Sequence, residues 1–136
     1  MTLKGLDLRN VLIDKHGTVF LLDPGKMTED IMEADIARFI VTCRILYWGS
    51  LLFLLRFSPE NSYEGSFLYG YFGADYKPDK ILGVMIIKEL LKLWKWSYVN
   101  VDFKKWPMPL KEALKKTYIA PFYKRQLATE FSKLGM

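Results

Sequence analysis

Asn10 and Asp23 are the two residues of this 136-residue chain whose types and spacing could do chemistry together. They bracket the stretch NVLIDKHGTVFLLD, two short apolar runs separated by a polar turn. An amide oxygen and a carboxylate are both hard ligands. Mg²⁺ takes one or two carboxylates and leaves its other positions to phosphate oxygens and water. The chemistry such a pair points to is the holding of Mg²⁺ on a phosphorylated ligand. For that, the chain between them must fold back on itself.

The sequence around them has the means to do so. Asn10–Asp14 and Thr18–Asp23 are rich in β-branched and aromatic residues, and the DKHG turn supplies a glycine that accepts positive φ. Paired strands lie about 4.8 Å apart and advance about 3.3 Å per residue. With the turn centred on Lys15 and His16, Asn10 falls opposite Leu21–Leu22 and Asp23 one or two residues beyond. The two oxygen ligands then meet at the open end of the hairpin, where Pro24 and Gly25 turn the chain away. Both faces of the hairpin are apolar, so it is expected to be covered on both sides.

Beyond the hairpin the period changes to a helical one. Ile36, Phe39, Ile40, Cys43 and Leu46 recur at three- and four-residue steps, which predicts a helix from Glu29 to about Tyr47 with Thr28 as N-cap. A second helix is expected after Ser50, and "SPE" at 58–60 reads as a further helix start. Tyr63, Phe67 and Tyr71 form an aromatic stripe of core type. Residues 73–80 read as a loop, and 80–98 as the strongest helix, with Lys88, Lys92 and Lys95 on a solvated side. Trp94, Trp96 and Trp106 read as core or groove wall. Pro107 and Pro109 end that region, "LKEALKKTY" forms a short helix, and Pro121 starts the last one. The expected fold is α+β, mostly α, with one hairpin at about 10–23 packed on a helical bundle, the whole of 1–136 forming a single domain.

The stretch LDLRNVLIDKHGTVFLLDPG resembles the catalytic segment of the protein-kinase-like superfamily, and most the aminoglycoside phosphotransferase and choline kinase branch. That branch shows a His-Gly-Asp-x-x-x-x-Asn loop, a strand, a turn, a second strand and an Asp-Phe-Gly-like metal motif. The resemblance implies that Asn10 is the loop asparagine and Asp23 the metal-binding aspartate, with Pro24 in place of the usual aromatic. "EADIARFI" resembles the helix that follows in the family, and Asp35 matches the aspartate that braces the catalytic loop from below. The match covers roughly residues 3–45. It implies the C-terminal, acceptor-binding lobe of a phosphotransferase, with Mg²⁺ and ATP as cofactors and a small hydroxylated acceptor.

Two departures qualify that expectation. Five places before Asn10, where the family carries its catalytic base, stands Gly5. Asp7, the other candidate, is three residues before Asn10 and breaks the spacing. Ahead of the hairpin there is neither a G-x-x-x-x-G-K-[ST] loop nor a G-x-G-x-x-G, so the nucleotide-gripping N-terminal lobe is expected to be absent from this chain. ATP and Mg²⁺ binding by the chain alone is therefore expected to be weak or nil. The alternative is a non-catalytic, pseudokinase-like interaction module. In either case the exposed apolar face calls for the missing lobe or a protein partner.

Composition narrows the remaining classes. Cys43 is the only cysteine and His16 the only histidine, which excludes an internal disulfide and a His/Cys zinc site. The absence of a disulfide framework, a signal peptide or a long apolar run points to a cytoplasmic protein. Its longest uncharged run, Ile45–Leu55, is too short to span a bilayer and is closed by Arg44 and Arg56. A net charge of +5 alone does not specify nucleic acid, and none is expected as a partner.

Overall fold

Local chemistry sets the first element pair. Asp14, Gly17 and Thr18 reverse the chain between β2 (Val11–Ile13) and β3 (Val19–Leu21), which pair antiparallel with Val11 opposite Leu21, Leu12 opposite Phe20 and Ile13 opposite Val19. The computed structural model describes residues 2–4, 11–22, 26–28, 31–49, 62–73 and 79–136. They form an α+β fold that is mostly α. By chain contacts they group into two compact units, Met1–Leu82 and Gly83–Met136.

In the first unit a second ladder flanks the hairpin in sequence: β1 (Thr2–Lys4) pairs antiparallel with β4 (Lys26–Thr28), with Leu3 opposite Met27. Thr28 therefore belongs to a strand and is not the N-cap expected from its neighbours. Helix α1 (Met32–Gly49) begins three residues later than Glu29. Its buried residues are Ile36, Ala37, Ile40, Val41 and Thr42, so the inward face is turned from the expected stripe; Leu46 is exposed and Phe39 and Cys43 are half-buried. Nearly every side of this helix is apolar, and spacing alone could not choose among them. Helix α2 (Ser62–Phe72) is tied to α1 by a Phe39–Phe67 ring stack at 4.2 Å and by a forked ion pair, Arg44 Nη2 to Glu64 Oε1 at 2.7 Å. α2 is the body of the helix whose start was read at 58–60; that start and the helix expected after Ser50 lie outside the described residues.

The expectation that both faces of the hairpin are covered is not met. Leu12, Ile13, Val19, Phe20 and Leu22 are all at least half exposed. Both faces are thus apolar and open.

Asp79 Oδ1 accepts the Leu82 backbone N–H at 2.9 Å and starts α3 (Lys80–Phe103), five residues longer than expected. The second unit continues with α4 (Met108–Leu114), which runs through a π turn at Lys115–Ile119 into α5 (Ala120–Leu134). Backbone angles stay right-handed helical at Leu114, Ile119 and Ala120, so the two expected helices are one continuous rod. Pro121 sits inside it. Its ring deprives the helix of one N–H donor, and the wider π turn just before it absorbs the lost i→i−4 bond. The rod ends at Gly135, whose φ of 76° lets the last carbonyls be satisfied by the N–H groups of Gly135 and Met136.

The core of this unit is Ile86, Leu90, Val101, Ile119, Phe122, Tyr123 and Leu127. Trp94 stacks on Tyr123 with centroids 5.7 Å apart and planes 3° from parallel. Glu89 and Glu130 are buried too, and each is paired by a lysine three residues on, Lys92 at 3.0 Å and Lys133 at 2.9 Å. A carboxylate held that far from water needs such a partner.

Candidate functional site

The hairpin turn is built around one carboxylate. Asp14 Oδ1 accepts the backbone N–H of His16 at 2.8 Å and of Thr18 at 2.9 Å. The Gly17 N–H reaches the Asp14 carbonyl at 3.0 Å, and the Asp14 N–H reaches the Thr18 carbonyl at 3.0 Å. Gly17 has φ of 83°, a left-handed value that a side chain would strain. The Thr18 N–H, helped by the bonds to His16 and Gly17, holds the Asp14 carboxyl below its ordinary value, against a smaller opposing effect of desolvation. Asp14 is thereby committed to the turn.

The four residues expected to form or flank the centre, Asn10, Asp23, Gly5 and Asp7, lie outside the described residues, as do Pro24 and Gly25. What is described is the ladder between them. Its outermost pair, Val11 opposite Leu21, directly follows Asn10 in the chain and stops two residues before Asp23. Asp35 lies in the first turn of α1 beside Glu33 and is half-buried. Acidic residues are favoured there by the helix dipole, whatever else they do. Among the described residues no group of three or more His, Cys, Asp or Glu side chains is arranged to hold a metal ion.

Lys88, Lys92 and Lys95 are all exposed, as a solvated face requires. The tryptophans divide. Trp94 packs inside, whereas Trp96 is 58% and Trp106 44% exposed, so those two are not core. Spacing could not separate them, because Trp94 and Trp96 lie two residues apart on one helix and point to different sides.

Sequence reading did not single out Arg44–Glu64 or the Ser97–Tyr123 bond. Both join residues at least twenty positions apart, and no local pattern marks them. Ser97 Oγ donates to the Leu93 carbonyl at 2.8 Å and lies 2.9 Å from the Tyr123 hydroxyl, so Tyr123 is the donor of that second bond.

Comparison with protein-family models, curated proteins and solved structures gives no match. Among the described residues no helix is long and apolar enough to cross a membrane.

Proposed function

We propose that this chain is the C-terminal, acceptor-binding lobe of a kinase-like phosphotransferase that moves the ATP γ-phosphate to a hydroxyl of a small molecule. The observation that carries the reading is the β2–β3 hairpin. Its turn at 14–18 and its register, with Val11 opposite Leu21, fit the chain reversal that the reading requires between Asn10 and Asp23. As a donor set, Asn10 and Asp23 suit Mg²⁺ shared with a nucleotide: one neutral and one anionic oxygen, with phosphates and water completing the shell. The ion, when bound, neutralises charge on the transferring group. Asp35 braces the loop that carries Asn10. Gly5 has no group to take a proton, so in this reading base assistance comes from elsewhere or is missing.

The test is the coding region upstream of Met1. We expect it to continue in frame into a Gly-rich strand pair and a lysine. The extended product should phosphorylate a hydroxylated acceptor from radiolabelled ATP, and Asp23→Ala should lower that rate by on the order of 10²-fold or more. Full activity in Asp23→Ala would end the reading.

The alternative, a non-catalytic interaction module, is favoured by the open apolar hairpin, since Leu12, Ile13, Val19, Phe20 and Leu22 call for a covering surface. A stop codon directly upstream would select it.

A further inference from the structure

All nine residues from Asp102 to Leu110 are exposed. They form the tip of a helical hairpin whose arms are α3 and the α4–α5 rod. The arms are held antiparallel by the Trp94–Tyr123 stack and, farther from the tip, by Leu134, whose Cδ2 would lie 3.0 Å from a Cβ placed on Gly83. Just behind the tip, Lys111 Nζ donates to the Asp102 carbonyl at 2.7 Å and Lys115 Nζ to its carboxylate. Asp102, at the start of the tip, is thus gripped twice from the following helix, once through its carbonyl and once through its carboxylate.

Its side chains are unusual for a surface. Phe103 is 82%, Met108 63%, Leu110 52% and Trp106 44% exposed. Val99 and Trp96, four and seven residues before Phe103, extend the same apolar strip along α3. Large apolar side chains this exposed and this close along the chain mark an interaction surface.

Charge tells which surface it fits. The unit Gly83–Met136 has eleven Lys and Arg against four Asp and Glu, a net charge of +7, while Met1–Leu82 has nine against eleven, a net of −2. Lys95, Lys104 and Lys105 flank the strip and have no carboxylate partner among the described residues. Asp102, the one acid at the tip, is neutralised by Lys115. Every residue of the tip is exposed, and lysines border its apolar side chains. Like charge opposes a second copy of the same tip. Stacked bases would cover the aromatic rings but leave Val99, Met108 and Leu110 wet.

We propose that this tip docks on an anionic lipid bilayer. Phe103, Trp106 and Met108 enter the boundary between headgroups and acyl chains, and Lys95, Lys104 and Lys105 meet the lipid phosphates. Aromatic and aliphatic side chains bordered by lysines are the recognised makings of interfacial binding. No span is required.

The test mixes the full 136-residue chain with phosphatidylcholine vesicles containing increasing shares of phosphatidylglycerol. Flotation should show binding that rises with the anionic share and falls with salt, and lipids brominated on the acyl chain should quench tryptophan emission. Phe103→Ser should weaken partitioning about tenfold or more. Lys104→Gln and Lys105→Gln should each weaken it about fivefold, on anionic vesicles only. Circular dichroism checks that each variant keeps its helices. Phe20→Ser, on the open β-hairpin of the other unit, should leave partitioning unchanged. Equal binding to neutral vesicles, absence of quenching, an equal loss in Phe20→Ser, or displacement of vesicles by single-stranded RNA would each overturn the proposal.

Discussion

One carboxylate organises the turn of the β2–β3 hairpin. Asp14 is taken up by the N–H groups of His16 and Thr18, which organise the turn. Asp14→Ala should speed hydrogen exchange at the His16 and Thr18 amides, and Asp14→Asn, which keeps an acceptor oxygen, should do so less. The Asp14 carboxyl is held below its ordinary value, first by Thr18. A lowered folded pKa means the contribution is present above the unfolded carboxylate pKa and is lost as pH falls through the folded one. Protection of these amides should therefore hold at neutral pH and decline below about pH 4, with no such decline in Asp14→Ala. A wild-type turn whose protection is flat from neutral pH into acid would show that the charge is not what orders it. Asp14 and Gly17 were legible because an Asx turn with a left-handed glycine is written in four consecutive residues. The roles of Asn10, Asp23, Gly5, Asp7 and Asp35 rest on motif spacing.

At the scale of elements, type was legible and limits were not. Helix α3 was expected over 80–98 and runs on to Phe103, although Val99, Asn100, Val101 and Asp102 are poor helix formers. Tertiary contacts override that: Val101 is buried, and Asp102 is gripped by Lys111 and Lys115 from the following helix. The β1–β4 ladder was missed for a related reason. Its strands are three residues each and more than twenty apart, and nothing in Lys26–Thr28 alone says strand. The antiparallel pairing of α3 with α5 turns on Tyr123, which stacks on Trp94 and donates to Ser97. Tyr123→Phe keeps the stack and should cost about 0.5–1.5 kcal/mol in thermal or denaturant unfolding. Burial pushes the Tyr123 hydroxyl up, partly offset by Ser97. Its raised folded pKa gives a contribution fully present below the ordinary tyrosine value and lost as pH rises through the folded one. Wild type should thus lose more stability above about pH 10 than Tyr123→Phe does. Equal alkaline losses in the two proteins would place the sensitivity elsewhere, with Tyr118, also pushed up by burial, the next residue to replace.

For the molecule as a whole, the proposed reading assigns chemistry to one part of the chain and lacks two of the things that chemistry needs. In that reading Asn10 and Asp23 would offer Mg²⁺ one carboxylate and one neutral oxygen, too little to hold the ion tightly without phosphates. In the same reading Gly5 stands at the base position and supplies none, and general-base help is worth on the order of 10² to 10⁴ in rate. The 136 residues contain no glycine-rich phosphate loop to fix the nucleotide, and positioning is worth about 7–11 kcal/mol in well-aligned systems. Either deficit alone would make turnover slow, and together they put it below detection. The 136-residue chain should therefore transfer no measurable phosphate from radiolabelled ATP to any hydroxylated acceptor at saturating Mg²⁺. Turnover that persists in Asp23→Ala would be unrelated to this site. Turnover that disappears there would mean that a base is present after all, and Asp7→Asn, set against the unchanged Gly5, would then show whether the carboxylate three residues before Asn10 supplies it.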